Sequence, residues 1–185
     1  MVLLGDGARS SVVGVKLERV NTADIGAFYE REMPRLVLFV TISTGLDVHA
    51  AADVAQAAFE KALSRWPTLR NPRAWLYRVA HHEALARCEA VRREVPVGVV
   101  PDRADHLSAA PALAAELRAE QREVMAHLGG LPPKQRQVMT WTLAGFGDAE
   151  IAAALELSTD AVKQSRYYAR RNLAKRLGLA GRGSR

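Results

Sequence analysis

The sequence has few of the residues that stabilise secreted or membrane proteins. Cysteine occurs once in 185 residues, as Cys88, so no intramolecular disulfide can form and a cytoplasmic location is expected. Aromatic residues make up 6% of the chain, which favours helical cores rich in Ala and Leu. No run of about 18 apolar residues is present, so we expect no membrane insertion. The N-terminal residues lack a cationic start and a continuous apolar stretch, which argues against a secretory signal.

Motifs for catalysis and metal binding are also missing. The sequence contains no glycine-rich phosphate loop and no histidine pair with the spacing of zinc peptidases. His81 and Cys88 could share one face of a helix, but no second cluster of ligands accompanies them. We therefore predict no metal, no cofactor and no enzymatic activity.

Positive charge is concentrated at the C-terminal end of the chain. Residues 158–185 contain eight Lys or Arg and one acid, a net charge of +7. The other 157 residues hold 18 cations and 19 acids, a net charge of −1. A helix with charge of one sign is typical of contact with nucleic-acid phosphates. The alternative is a basic face that is merely solvated.

Residues 131–177 predict a helix-turn-helix. A proline pair begins a helix over 134–143, which ends at a glycine-rich turn. Asp148 is expected to cap a short helix over 149–155, and Ser158 a long basic helix. The buried stripe of that last helix is predicted at Val162, Ala169, Leu173 and Leu177. A short helix, a tight turn and a basic amphipathic helix are typical of this DNA-binding motif.

The N-terminal half predicts a second helical unit. Apolar spacing indicates three helices, over 24–44, 48–66 and 73–94. Asp47 and Asn71 are expected to cap the second and third. Pro34 lies within the first and is expected to break or kink it.

Aromatic and cationic residues are interleaved in this half. Between Lys61 and Arg93 cations outnumber acids, and among them lie Trp66, Trp75, Tyr77, His81 and His82. Such a composition is typical of a surface on which unstacked bases pack. Burial of the tryptophans in a core is the alternative.

The predicted fold is all-α, with two small helical domains joined by a flexible linker. The linker contains prolines and lacks helical periodicity. The predicted boundaries are a flexible arm over 1–22, an N-terminal domain over 23–95, the linker over 96–111, a C-terminal domain over 112–179 and a basic tail over 180–185.

The order of these motifs resembles the extracytoplasmic-function (ECF) sigma factors, the smallest members of the sigma-70 family of bacterial RNA polymerase initiation subunits. The resemblance covers about residues 24–178. In the family's region 2, the motifs D-L-V-Q-E-x-F and P-R-A-W-L-Y-R-V-A are similar to residues 53–59 and 72–80. In region 4, L-P-P-x-Q-R-x-V, A-E-I-A-x-x-L and V-K are similar to residues 131–138, 149–155 and 162–163. The resemblance implies a sigma factor that binds core polymerase and directs promoter-specific initiation.

The resemblance also implies three sets of contact residues. Contacts to the clamp coiled coil of polymerase fall on Asp53, Gln56, Phe59 and Glu60. Capture of the minus-10 element falls on Asn71, Arg73, Trp75, Arg78 and His82. Recognition of the minus-35 element falls on Lys163, Gln164, Arg166, Tyr167, Tyr168, Arg170 and Arg171. Expected partners are core polymerase (clamp and flap) and promoter DNA, and an anti-sigma factor is left open.

Several positions depart from the family pattern. Ala50 to Ala52 replace an acidic D-A-E, Ala57 replaces a Glu, and His81-His82 replace an Arg-Asn pair. Ser165 and Tyr168 replace two arginines of the recognition helix. Two other functions therefore stay open: a stand-alone helix-turn-helix regulator with a partner-binding N-terminal domain, and a helical adaptor with a solubilising tail.

Overall fold

The computed structural model describes residues 22–94 and 119–177. These residues form seven α-helices and contain no strand. The helices are α1 (Thr22–Thr44), α2 (Val48–Arg65), α3 (Pro72–Glu94), α4 (Ala119–Gly129), α5 (Pro133–Leu143), α6 (Asp148–Leu155) and α7 (Thr159–Arg176), with a 3-10 turn at Trp66–Thr68. The all-α prediction is confirmed. Residues 1–21 of the predicted arm, the linker and the basic tail lie outside the described ranges, whereas Thr22, assigned to the arm, begins α1.

The N-terminal domain consists of α1, α2 and α3 packed on one another. Both predicted caps are confirmed, because Asp47 accepts a hydrogen bond from the Ala50 amide at 2.9 Å and Asn71 accepts one from the Ala74 amide at 3.1 Å. The core face of α2 is built mainly from alanines and Phe59, which lets α1 and α3 approach closely.

Helix α1 is continuous through Pro34, so of the predicted break or kink the break is wrong. The helix runs from Thr22 to Thr44 with the proline inside it. An interior proline removes one backbone hydrogen bond and costs about 3 kcal/mol. The residues that follow it, Leu36, Phe39 and Val40, are fully or almost fully buried, and their packing outweighs that local cost.

The C-terminal domain contains the predicted helix-turn-helix, with one local correction. Gly145, at φ 88°, ends α5 in a conformation that favours glycine. Gly147, not Asp148, is the N-cap of α6, since the helix already includes Asp148. Ser158 caps α7 as predicted and accepts from the Ala161 amide at 3.2 Å.

The buried stripe of α7 is shorter than predicted. Val162 and Ala169 are completely buried, whereas Leu173 is partly buried. Leu177 is 43% exposed. The helix therefore packs against its own domain mainly through its first three turns.

The two domains share a hydrophobic core. Phe39 of α1 contacts Trp141 of α5 edge-on, with ring centroids 5.0 Å apart. Tyr77 of α3 contacts Phe146, which follows α5, at 5.1 Å. All four side chains are buried in one continuous cluster. The sequence predicted the two units but not this contact between them.

Candidate nucleic-acid interface

The face of α7 predicted to read DNA is open to solvent. Six of its seven predicted residues are exposed: Lys163, Gln164, Tyr167, Tyr168, Arg170 and Arg171. The opposite side of the helix, at Val162, Ser165 and Ala169, is buried against the rest of the domain. Lys and Gln side chains can bind base edges in a major groove, and Arg side chains can bind phosphates. The geometry of α7 thus suits a recognition helix.

Arg166 differs from its neighbours on α7 because it is paired within the protein. Its guanidinium donates to both carboxylate oxygens of Asp148, the first residue of α6, with one contact at 2.9 Å. Both side chains are about three-quarters buried. This bidentate pair joins the two helices of the motif. Arg166 therefore links α7 to α6 instead of projecting into solvent with its neighbours.

The predicted minus-10 residues lie on α3 or, for Asn71, at its N-terminal cap, but they do not form one surface. Asn71, Trp75, Arg78 and His82 follow one another at helical spacing along one face, where Arg78 and His82 are exposed and Trp75 is half-buried. Arg73 lies outside this row. The row combines an amide, an indole, a cation and an imidazole, groups that can stack on and hydrogen-bond to unpaired bases.

Arg73 is occupied by contacts inside the protein. Its Nε donates to Glu32 of α1 at 3.1 Å, and a terminal nitrogen donates to the carbonyl oxygen of Ala144 in the other domain. The guanidinium also lies over the rings of Tyr77 and Phe146, at 4.9 and 4.6 Å from their centroids. Its observed role is to connect the two domains.

Glu32 of α1 accepts hydrogen bonds from both Arg73 and Tyr77. It is 1% exposed, and burial alone would disfavour its charge. Hydrogen bonds from Arg31, Arg73 and the hydroxyl of Tyr77 nevertheless hold the pKa of Glu32 below its usual range. Burial and the charge of Glu32 raise the pKa of Tyr77 to about 12. The carboxylate and the phenol therefore keep one protonation state over a wide range of pH.

His81 lies at the boundary between the domains. Its ring is 1% exposed and contacts Trp141 at 5.8 Å and Phe39 at 6.2 Å. Neither of its ring nitrogens has a hydrogen-bond partner within the described ranges. Burial, with a smaller effect from His82, lowers the pKa of His81 to about 4. The imidazole is therefore neutral and acts as an apolar ring.

Helix α6 faces the row of predicted minus-10 residues across two clefts. One cleft, of about 390 Å³, is lined by Asn71, Trp75 and Arg78 on one side and by Glu150, Ala153 and Ala154 on the other. The second, of about 410 Å³, has Arg78 and His82 opposite Ala153 and Glu156. The row thus borders the contact between the domains.

The predicted polymerase-binding residues lie on α2, and three of the four are exposed. Asp53, Gln56 and Glu60 are exposed, whereas Phe59 is 2% exposed and packs against the rings of Phe28 and Tyr29. The Asp53 carboxylate lies 3.3 Å from the guanidinium of Arg87. The burial of Phe59 means that it supports this face from beneath.

Sequence reasoning missed Tyr29 as a member of the α2 face. Its hydroxyl donates to Gln56 at 3.1 Å, and Gln56 in turn donates to Glu60 at 3.3 Å. The apolar spacing of α1 suggested a core position, but the ring is 38% exposed. Only the contact between α1 and α2 reveals the arrangement.

Residues 22–94 and 119–177 contain neither a membrane-spanning helix nor a cluster of metal-binding side chains. None of their helices is both long and apolar enough to cross a bilayer. Among the same residues, no three His, Cys, Asp or Glu side chains come together in a group that could hold a metal ion.

Comparisons with known proteins match both halves of the chain. Residues 28–94 match the family model for sigma-70 region 2, and residues 130–183 match the model for bacterial regulatory proteins of the luxR family. No curated protein matches the sequence. A co-crystal structure of the sigma factor RpoE with the anti-sigma factor NepR from Bartonella quintana has the same fold, with a TM-score of 0.61 and 18% identity. The match covers 84% of this chain and 98% of RpoE.

The fold and the exposed basic helix define a two-domain helical transcription protein with a helix-turn-helix. A sigma-70 region 2 domain followed by that motif, in the fold of RpoE, is the arrangement of the ECF sigma factors. Residues 28–94 therefore carry a sigma-70 region 2 domain, and together with the luxR-type match and the RpoE-like fold they support a sigma factor of the ECF type. The resemblance found in the sequence is thereby confirmed, and with it a function in directing transcription initiation.

Proposed function

We propose that this sigma factor binds core RNA polymerase through α2 and selects promoters through α3 and α7. The main support for this proposal is that a region 2 domain is followed by a helix-turn-helix whose predicted recognition face is almost entirely exposed. Polymerase supplies the chemistry, so the factor needs no catalysis of its own. Its place of action is the cytoplasm, where the polymerase and the promoter are.

The proposed polymerase contact is the exposed face of α2. Asp53, Gln56 and Glu60 present two carboxylates and an amide that can bind basic and polar groups of the clamp coiled coil, and Phe59 supports them. Three acids of the family pattern are alanines here, at Ala50, Ala52 and Ala57. Binding of α2 to the polymerase clamp therefore depends more heavily on Asp53, Gln56 and Glu60. We assign the second contact, to the polymerase flap, to the C-terminal domain as a whole.

The proposed promoter contacts follow the two basic surfaces. Lys163 and Gln164, near the start of α7, would read base edges of the minus-35 element, and Arg170 and Arg171 would bind phosphates. The row Asn71, Trp75, Arg78 and His82 on α3 would hold unstacked bases of the minus-10 element. Stacking on an aromatic side chain contributes about 1–3 kcal/mol per base.

An anti-sigma factor is the proposed regulatory partner. The support is the similar fold of RpoE, whose structure was solved in complex with the anti-sigma factor NepR. Surfaces of two domains that already pack on each other could be covered together by one such protein. Copurification of the tagged factor under non-inducing and stress conditions, with identification of bound proteins, would test this partner.

The decisive experiment for the proposed function is transcription with purified core polymerase on a library of genomic fragments. We expect transcripts from a small set of fragments only when the factor is present. The double variant Asp53→Ala, Gln56→Ala should lose both transcription and copurification with core enzyme. The double variant Asp24→Ala, Glu30→Ala, which changes two exposed acids of α1, serves as control. Full recovery of polymerase with the α2 variant would remove the clamp assignment.

A second function has support from the C-terminal half alone. The luxR-family model describes bacterial regulatory proteins, and it matches residues 130–183. A stand-alone regulator would bind specific fragments without polymerase and would give no promoter-directed initiation with core enzyme. The region 2 match over residues 28–94 favours the sigma-factor function over this alternative.

A further inference from the structure

We propose that Tyr167 of α7, supported by Tyr168, contacts the C5 methyl group of a thymine in the minus-35 element. The inference rests on the proposed function, which brings α7 into the major groove of the promoter. It adds an apolar contact to the polar ones proposed for Lys163 and Gln164, and it names the base that this contact reads.

The first evidence is the exposure of two aromatic rings on α7. Tyr167 is 62% exposed and Tyr168 is 44% exposed. The buried face of the helix is formed by other residues, namely Val162, Ser165 and Ala169. The two tyrosines therefore add little to the packing of their own domain. Burying such rings against a partner is favourable, so their position indicates a contact outside the chain.

The second evidence is the charge that surrounds Tyr167. Lys163 lies four residues before it and Arg171 four residues after it, so a cation lies one helical turn away on either side. All three side chains are exposed. An apolar surface of another protein would have to remove water from both cations at a cost, whereas duplex DNA places phosphates near them. The charge around the ring therefore favours DNA as its partner.

The third evidence is what a major groove offers to an aromatic ring. The bases of a duplex are stacked, so a side chain that enters the groove meets only their edges. These edges carry hydrogen-bond donors and acceptors and one kind of apolar group, the C5 methyl of thymine. An aromatic ring at the centre of a recognition face therefore has thymine as its apolar partner among the four bases.

Tyr168 is placed to support this contact. Its ring packs edge-to-face on that of Tyr167, with the centroids 5.4 Å apart and an angle of 71° between the ring planes. The packing restricts the orientations of Tyr167, so less conformational entropy is lost when the ring meets DNA. Tyr168 also stands where the family pattern has an arginine. The substitution thus exchanges a cationic DNA ligand for an aromatic support.

The spacing along α7 predicts where the thymine lies. Tyr167 is one helical turn, about 5.4 Å along the axis, beyond Lys163. Successive base pairs are about 3.4 Å apart. We therefore expect the thymine within about two base pairs of the position whose preference changes when Lys163 or Gln164 is exchanged.

The test removes the methyl group from the DNA and the ring from the protein. A binding site is first selected from a randomised duplex library with the full-length factor, alone and with core polymerase. Each thymine of the site is then replaced singly by uracil, which lacks the C5 methyl and keeps the base-pairing groups. Dissociation constants for the thymine and uracil duplexes are measured for the wild type, Tyr167→Ala and Tyr167→Phe. Because Tyr167 is exposed, both variants should keep the wild-type helix content, which circular dichroism checks.

For the wild type we expect uracil at one thymine to weaken binding about fourfold, the factor that burial of one methyl-sized group gives. Y167A should bind the two duplexes alike, whereas Y167F keeps the ring and should keep the fourfold ratio. Tyr168→Ala should reduce the ratio without abolishing it. Arg170→Ala is the matched control on the same helix, and it should weaken both duplexes by the same factor and leave their ratio unchanged.

Three results would overturn the methyl contact: a selected site with no thymine near the predicted position, equal binding of every uracil duplex by the wild type, or a ratio that persists in Y167A. Loss of the ratio in Y167F would assign the effect to the hydroxyl and would overturn the contact as well. An unchanged ratio in Y168A would remove the supporting role of Tyr168.

Transcription with core polymerase separates these outcomes from failure of the proposed function. A wild type that initiates from the selected site but does not distinguish thymine from uracil would keep the function and lose the methyl contact. A thymine preference that depends on Tyr167, in a protein that starts no transcription, would lose the sigma-factor function and keep the contact. Failure to select any site, with or without core polymerase, would overturn both.

Discussion

The guanidinium of Arg73 donates a hydrogen bond to the carbonyl oxygen of Ala144, and this contact joins the two domains. Carbonyl groups at the C-terminal end of a helix lack intrahelical partners and carry partial negative charge. Arg73 satisfies one of them at the end of α5, while Glu32 balances its charge from α1. The same side chain cannot bind a phosphate without giving up these contacts. Its sequence motif predicted a DNA contact, whereas its structure connects the domains.

The buried carboxylate of Glu32 should be important for stability. Glu32→Gln removes the charge that faces Arg73, and we expect the free energy of unfolding to fall by about 2–3 kcal/mol, less than for a fully buried pair because Arg73 is 31% exposed. Urea denaturation followed by circular dichroism measures the change. Glu30→Gln, an exposed position of the same helix, is the control and should change stability little. Equal effects of the two substitutions would show that the buried network is not important for stability.

The burial of His81 predicts a loss of stability in mild acid. Its pKa is about 4 in the folded protein against 6.5 as the ordinary value, so the unfolded chain takes up a proton first as the pH falls. The stabilisation is complete above pH 6.5 and decreases toward pH 4, by roughly 3 kcal/mol over the full interval. Urea midpoints measured between pH 7 and pH 5 test the slope. At lower pH, protonation of Glu32 would add to the loss.

A pair of histidine variants isolates this effect. His81→Phe replaces the buried ring with one that does not titrate, and the slope between pH 7 and pH 5 should become flatter. His82→Gln changes the exposed neighbour and should leave most of the slope in place. A slope that persists in the His81 variant would assign the acid sensitivity to another group.

The pair between Arg166 and Asp148 should stabilise the helix-turn-helix. Both Arg166→Ala and Asp148→Ala should lower the free energy of unfolding by about 1–2 kcal/mol, because each leaves a charge that is about three-quarters buried without its partner. The double variant should cost much less than the sum of the two, since the pair is lost only once. Thermal and urea denaturation of the wild type, the two single variants and the double variant give the coupling energy of the pair in a double-mutant cycle. Additive losses would mean that the pair contributes no coupling energy.

The two kinds of contact proposed for α7 predict different effects on binding. Exchanging Lys163 or Gln164 should alter preference at single positions of the minus-35 element by about 1–3 kcal/mol. Arg170→Ala should weaken binding to all sequences alike and reduce its salt dependence. Binding to a randomised duplex library at several salt concentrations distinguishes the two patterns. The same pattern from both kinds of variant would place the recognition face elsewhere on the helix.

Local features of the fold were predictable because local sequence determines them. Asp47, Asn71 and Ser158 cap their helices as their side chains and positions suggest. The exposed face of α7 also follows directly from the helical period and the charge pattern. Asp148 was assigned as a cap because its carboxylate could accept from the amides of the first turn, but its partner is Arg166, 18 residues away.

The relationship between the domains could not be predicted from periodicity. Phe39 and Trp141 follow the apolar spacing of their own helices, whereas Tyr77 was assigned to a stacking surface, and nothing in the sequence shows that one core contains all three. Arg73 and Glu32 are 41 residues apart, so only the fold reveals their pairing. Pro34 does not break α1 for the same reason, since packing with distant elements outweighs a local preference.

The continuous core affects how any measured affinity for polymerase should be interpreted. A partner that binds only protein whose two domains have separated requires Phe39, Trp141 and Phe146 to become exposed first. Its apparent dissociation constant is then the intrinsic constant divided by the fraction of protein in which the domains are separated. A substitution in these rings, far from any contact surface, could therefore tighten binding without adding a single interaction. Weak association of the wild type with core enzyme would then reflect the rarity of the competent conformer as well as the alanines on α2.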